Sequence, residues 1–268
     1  MKRLGLILLM IITVISVNRA SAQVEIGPNL FQTVINQNQA AIDSLVEPII
    51  QAFGIGVTGG LYHTADTHDL LGLDFGFKLV TVIIPESESP LHDTSNVSLF
   101  VAPIIQASLG LPMDFEVMAR GLGFKYEDKN ITLIGVGVRK NFKSHIPIPM
   151  FPDVSAGIAY HKFEAGDILS SNHLSLNLAV SKKLSFLVFS LTPYAGVGWD
   201  RTSMNFTYTW EEAGNPLSPQ NIDKTFNVNT TRLTLGLDVS PFPFVHVYGD
   251  YNISKFSEVT VGAAISIR

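Results

Sequence analysis

The 268-residue chain has no cysteine. Disulfide staples are therefore excluded, as is a lipid-modified N-terminal cysteine. Charge is also sparse: 15% of residues are charged, while 46% are hydrophobic. Yet past the first twenty or so positions there is no long unbroken apolar run, so the chain has no second segment able to cross a bilayer as a helix. Basic patches are missing as well. The net charge is −5, and removing the cations Lys2, Arg3 and Arg19 of the N-terminal segment leaves −8. Nucleic acid, which needs a basic face, is excluded as a partner on that ground. Catalytic signatures are absent too. No Gly-x-Ser-x-Gly elbow occurs, the seven histidines are dispersed, and the glycine-rich stretch at 54–60 is not followed by the helix a phosphate loop requires. No enzyme activity, cofactor or metal is expected. The nearest approach to a hydrolase is His161 or His173 close to Ser170 and Ser171.

What is present begins with an export signal. Lys2 and Arg3 precede an apolar run over 4–17, and Ala20-Ser21-Ala22 is a small-residue cleavage site. Residues 1–22 read as a signal peptide cleaved after Ala22. In a large exported chain without disulfides, this points to a bacterial envelope protein.

Residues 23–53 read as an N-terminal helical segment, either a periplasmic cap or a plug. Ile42, Leu45, Val46, Ile49, Ile50 and Phe53 recur at spacings of three and four and form one apolar stripe. Pro48 predicts a break or kink after Val46. From Gly54 onward the period becomes two. Eleven strands are expected, at 55–61, 71–79, 97–109, 115–120, 134–139, 154–161, 174–181, 186–206, 232–240, 245–253 and 257–268. The last is the clearest in type: Val259, Val261, Ala263, Ile265 and Ile267 alternate with Thr260, Gly262, Ala264 and Ser266. One apolar face and one small or polar face per strand is the pattern of a transmembrane antiparallel up-and-down β-barrel, and 54–268 is assigned to one. Barrels of this kind have even strand numbers. Eleven must therefore become ten or twelve, and the poorly alternating stretch 97–109, with Pro103 inside it, is the prime suspect. Short turns near Leu111, Lys182 and Pro241 are placed on the periplasmic side. Loops near Asp128, Gly166 and Asn215 are placed outside, the longest running from Tyr208 to Lys224.

If the apolar faces meet lipid, the opposite faces line the lumen. They carry Asp74, Lys78, Glu116, Arg120, Arg139, Asp200, Arg232, Asp238, His246 and Asp250. This mixed set suits an interior network of paired charges or, alternatively, a constricted polar path. Tyr208 and Trp210 are candidates for an interfacial girdle. The acidic outer loops, including Glu86, Glu164 and Asp223, have no regular metal-ligand spacing.

The run Ala107-Ser-Leu-Gly-Leu-Pro-Met-Asp-Phe115 is followed by Gly135-Val-Gly-Val-Arg-Lys-Asn-Phe142 and Phe151-Pro-Asp-Val-Ser-Ala-Gly-Ile-Ala-Tyr160. Together with Glu47-Pro48-Ile-Ile, these runs resemble a poorly characterised group of bacterial outer-membrane barrels reminiscent of long-chain fatty acid transporters. The resemblance implies a short helical element before the barrel and passage of small hydrophobic molecules. Arg268 stands where that type usually has an aromatic residue, and the chain is shorter. The expectation is a bacterial outer-membrane barrel of 10–12 strands with outer-membrane lipid and the barrel-assembly machinery as partners. Its function is a narrow pore or transporter with a small hydrophobic solute as cargo. The alternatives are a structural or surface-interaction barrel with a closed interior, and a secreted soluble β-sandwich.

Overall fold

A computed structural model describes residues 39–85, 99–126, 129–142, 144, 148, 151–166, 169–187, 189–212 and 215–267. The expected signal segment with its cleavage site, most of the acidic connection after Pro85, and the side chains of Tyr208 and Trp210 lie outside the described residues. The described elements are α1 (Gln39–Thr58), β1 (Leu73–Ile83), β2 (Leu99–Leu111), β3 (Phe115–Tyr126), β4 (Lys129–Asn141), β5 (Asp153–Ala165), β6 (Leu169–Ser181), a two-residue β7 (Leu184–Ser185), β8 (Ser190–Glu212), β9 (Asn215–Phe242), β10 (Val245–Ile253) and β11 (Ser257–Ile267).

Every strand pairs antiparallel with its chain neighbour, apart from the short β7, which pairs only with β8. Two junctions close the ring. β1 pairs with β11 from Leu73↔Ile267 to Ile83↔Ser257, and β6 pairs with β8 from Leu169↔Phe206 to Ser181↔Tyr194. The result is a closed barrel of ten long strands, with β7 a small addition on one rim. Strands of 11 to 13 residues in β1–β6 suffice to cross a hydrocarbon core, for which about 9–11 tilted residues are needed.

The barrel is inside-out relative to a soluble protein. Leu73, Phe75, Phe77, Ile105, Ile134, Val136, Leu178, Val197, Leu235, Val261 and Ile265 are exposed on its outer face, while Asp74, Lys78, Glu116 and Arg139 are buried. An apolar belt of this extent requires lipid against it. A single sheet closed on itself with its polar face inward also excludes the β-sandwich alternative. The aromatic girdle is found on the rim of short turns, where Phe142, Phe186, Phe189, Phe242 and Phe244 are exposed; Phe186 and Phe189 stack with centroids 4.9 Å apart.

Three expectations are corrected. The supernumerary strand is 55–61: residues up to Thr58 continue α1, and the chain then runs as an irregular thread to Leu71. The barrel proper thus starts at Leu73, not Gly54. The alternation of glycine with Ile55 and Val57 imitated a strand because both faces of this segment are packed. The suspected stretch is a real strand, β2. Its lumen side carries Phe100, Ala102 and Ile104, which pack on α1, so it is apolar on both faces and shows little alternation. Third, Tyr208–Lys224 is not a loop. β8 and β9 remain paired past Phe206↔Lys224 as far as Glu212↔Asn215, and this hairpin rises beyond the rest of the rim. Ladder bonds need no apolar alternation where a strand leaves the membrane, so the sequence there reads as polar and irregular.

α1 stands inside the barrel. Ile50, Phe53, Ile55 and Val57 are buried against Val80, Val82, Phe100, Ile104, Leu133, Phe163, Met204 and Val228 on the surrounding wall. The helix is therefore apolar nearly all round over its second half, as full burial demands. It runs unbroken through Pro48, in contrast to the predicted break. The wall approaches so closely that a Cβ on Gly56 would sit 2.2 Å from the Phe100 ring. The helix ends at Thr58, and Gly60 just beyond it has a φ of +56°, the left-handed conformation that glycine adopts at low cost after a helix.

Replacing Phe53 by alanine removes the ring that meets Phe100 and Phe163 at centroid distances of 5.6 and 4.8 Å. The expected cost is about 3–5 kcal/mol. It should be read as a lower temperature for the gel-mobility shift that marks barrel unfolding. Gly56→Leu should produce a loss of similar size, partly restored by Phe100→Ala.

Candidate functional site

A thread of backbone passing through a barrel has no strand to pair with, so its carbonyl groups must find donors on the wall. Between Gly59 and Ala65 five of them do. Arg120 Nη2 donates to Gly59 O (2.9 Å), Lys78 Nζ to Gly60 O (2.5 Å), Gln106 Nε2 to Leu61 O (3.1 Å), Arg139 Nη1 to Thr64 O (2.5 Å) and Asn141 Nδ2 to Ala65 O (3.2 Å). The thread's donors are met in the same way: Ala65 N–H bonds to Ser181 Oγ (3.0 Å) and His68 N–H to Glu116 Oε2 (3.1 Å). Where the helix ends, Arg232 Nη1 donates both to Thr58 Oγ1 (3.0 Å) and to Asp200 Oδ2 (2.8 Å), and its Nη2 to Asn177 Oδ1 (2.6 Å).

All ten lumen residues singled out in the sequence are buried in this arrangement. Lys78, Arg120, Arg139 and Arg232 grip the thread or the helix end. Glu116 accepts two bonds from Arg139, each 3.0 Å, and one from His68 Nδ1 at 2.8 Å. Asp200 holds Arg232 and accepts from Ser175. Asp74 accepts from Ser266 Oγ (2.7 Å), and Asp250 accepts from Tyr194 Oη (2.9 Å) and Asn252 Nδ2 (2.7 Å). Asp238 and His246 meet at 3.0 Å beside His63 of the thread. The strands bring these side chains into one interior because alternate positions of neighbouring strands share the lumen face.

Gln106, Asn141, Tyr62, His63, His68 and Glu258 were not picked out from the sequence. The three thread residues, Tyr62, His63 and His68, carried no signal, since the chain just past 55–61 read as a polar, turn-like connection. Gln106 lies in the poorly alternating β2. Glu258 was legible, being in step with Thr260 and Ser266 on the lumen face of β11, and it is fully buried.

The lumen is filled. Among the described residues the cavity between thread and wall, lined by Gly60, Tyr62, Asn177, Tyr194, Arg232 and Asp250, measures about 30 Å³, the size of one water molecule. A larger recess of about 390 Å³ lies on the turn rim among Asp66, His68, Met113, Asp114 and Asn141. The serine and histidine noted above do meet, with Ser171 Oγ 2.9 Å from His173 Nε2. However, His173 Nδ1 faces Thr202 Oγ1 instead of a carboxylate, and the Phe53 ring lies 5.8 Å from the imidazole. Both residues are sealed beneath α1, so no substrate reaches them.

The Glu116–Arg139 pair offers a direct test of the grip. Arg139→Leu leaves Glu116 buried with His68 as its remaining side-chain partner, and should destabilise the barrel by about 3–5 kcal/mol. The double variant Arg139→Leu/Glu116→Leu should be less destabilised than the single one in denaturant unfolding, because no uncompensated charge remains.

No curated protein sequence matches the chain. Solved structures with a similar fold include the β domain of the Bordetella autotransporter BrkA, with 9% identity over 74% of this chain and 100% of that one, at a TM-score of 0.42. Others are the outer-membrane protease OmpT of Escherichia coli (11%, 78% and 100%, TM-score 0.40) and the translocator domain of the Neisseria meningitidis autotransporter NalP (12%, 88% and 99%, TM-score 0.40). These likenesses concern the outer-membrane-type barrel fold alone. At the level of sequence, residues 1–94 and 89–267 match the group described as "Family of unknown function (DUF6588)", and the chain belongs to that family.

Proposed function

We propose that the protein is a plugged barrel of the bacterial outer membrane, exported by residues 1–22, closed to solutes, and in contact with its surroundings through the β8–β9 hairpin. The occupied lumen carries this reading. α1 fills the half towards the long strands with apolar side chains, and the thread fills the other half, its backbone held by Lys78, Arg120 and Arg139. Among the described residues the hairpin, paired from Ser190↔Ser240 to Glu212↔Asn215, is the part of the ring that extends far past its neighbours. With the short turns on the periplasmic side, as is usual in barrels, it points outward.

The narrow pore for small hydrophobic solutes is the second reading. It requires α1 to leave the lumen, because a water-sized gap admits no such cargo. The fatty-acid-transporter resemblance belongs with this reading.

Flux through liposomes separates the two. The purified barrel should pass neither ions nor hydrophobic dyes, whereas deletion of residues 39–58 should open a conductance while the strands still fold. Flux of any probe through the intact protein would overturn the closed reading.

A further inference from the structure

Near the turn rim three buried ligand-type side chains converge from three separate parts of the chain: His63 from the thread, Asp238 from β9 and His246 from β10. One ligand atom from each lies within 4.8 Å of the other two. Asp238 Oδ1 is 3.0 Å from His246 Nδ1, and Asp238 Oδ2 is 3.9 Å from His63 Nε2. The imidazole rings stand 5.5 Å apart at 46°. The His63 ring is stacked on Tyr248 at 4.6 Å and 15°, which fixes its plane towards Asp238. The other nitrogen of His246, Nε2, is buried and has no hydrogen-bond partner among the described residues. The atoms that converge are thus His63 Nε2, His246 Nδ1 and the Asp238 carboxylate, which faces both imidazoles.

We propose that His63, Asp238 and His246 bind one divalent transition-metal ion of the zinc type, which fastens the luminal thread to the barrel wall. Two imidazoles and one carboxylate form a donor set for zinc, cobalt or nickel and are poorly suited to calcium or magnesium, which take oxygen ligands. Metal–ligand bonds of about 2.0–2.2 Å place ligand atoms roughly 3.3 Å apart in a tetrahedron, so the observed separations close with small side-chain rotations. Charge is compatible. Asp238 supplies one negative charge to the ion, and the nearby Lys78 ammonium is already directed at Gly60 O and the Gln106 carbonyl. The site is also placed to matter, because it joins residue 63 to two adjacent strands. His246 follows the β9–β10 turn by a single strand residue, so the site is close to the rim from which an ion would enter. The long separation of residue 63 from 238 and 246 hides it from any spacing rule.

The test uses the full folded barrel in detergent, treated with EDTA and then titrated with Co²⁺. Tetrahedral visible bands should saturate at one equivalent and be displaced by Zn²⁺. His63→Ala and His246→Ala should each weaken Co²⁺ binding by about 100-fold, while His161→Ala, a buried histidine elsewhere in the lumen, should leave it unchanged. Zn²⁺ should also raise the unfolding temperature of the intact protein, because a ligand that binds only the folded state stabilises it. Absence of Co²⁺ and Zn²⁺ binding to the intact folded barrel at 100-micromolar-scale metal, a test independent of any variant's folding, would overturn the site. Equal affinity in the two ligand variants, or equal loss in His161→Ala, would overturn it as well.

Discussion

A polypeptide can occupy the inside of a membrane barrel only if its backbone polar groups are satisfied there, and in this protein that requirement organises the rest. α1 meets it internally, through its own helical bonds. Once the helix ends at Thr58 the chain must be served from outside itself. Four successive strands, β1 to β4, answer with Lys78, Gln106, Arg120, and the pair Arg139 and Asn141, each reaching a carbonyl of residues 59–65. The charges in the lumen are thus primarily hydrogen-bond donors to a guest segment of the same chain. Glu116 and Asp200 are the counter-charges that allow arginines to be buried in that role.

The barrel consequently has two interiors. Towards the long strands, residues that face inward are as apolar as those that face lipid, because they pack on α1: Val80 and Val82 in β1, Phe100, Ala102 and Ile104 in β2, Ile131 and Leu133 in β4, and Phe163 in β5. Towards the turn rim the same strands present Asp74, Lys78, Gln106, Glu116, Arg139 and Asn141. The boundary falls near Thr58, where Arg232 reaches the last helical turn. A strand such as β1 therefore changes from polar to apolar on its inner face along its own length, while its outer face carries Leu73, Phe75, Phe77, Leu79 and Ile83 with Thr81 as its one polar residue.

This division also explains how far the fold could be read from the residues. Alternation survives wherever the inner face is polar, so the lumen residues from Asp74 to Asp250 and the terminal strand Ser257–Ile267 were legible, as was the even-number conflict. It fails where the inner face packs on the helix, and β2 was doubted for that reason. The helix was half legible. The stripe Ile42–Phe53 marked it, but Gly54 and Gly56 next to Ile55 and Val57 copied a period of two, and so the plug was cut short and a false strand added. The thread had no pattern at all, since its order comes from groups on distant strands. His63 and His68 could only be placed once the barrel was closed around them.

The same two-part packing constrains how the plug can move. Sliding α1 along the barrel axis would bring Phe53 and Ile55 level with Arg120 and Arg232, and would strip Gly59, Gly60 and Leu61 of their donors. Neither half can shift without leaving the other mismatched, because the apolar contacts and the hydrogen bonds are set by one register between thread and wall. Partial withdrawal therefore exposes buried charge without relieving it, at a cost of several kcal/mol for each uncompensated group. The stable alternatives are a plug fully seated or fully out, and the seated state also buries Ile50, Phe53, Ile55 and Val57, each contributing about 1.5–3 kcal/mol. Release of the plug therefore requires something that binds the whole of residues 39–71 elsewhere, which is the condition the proposed closed state sets for any opening.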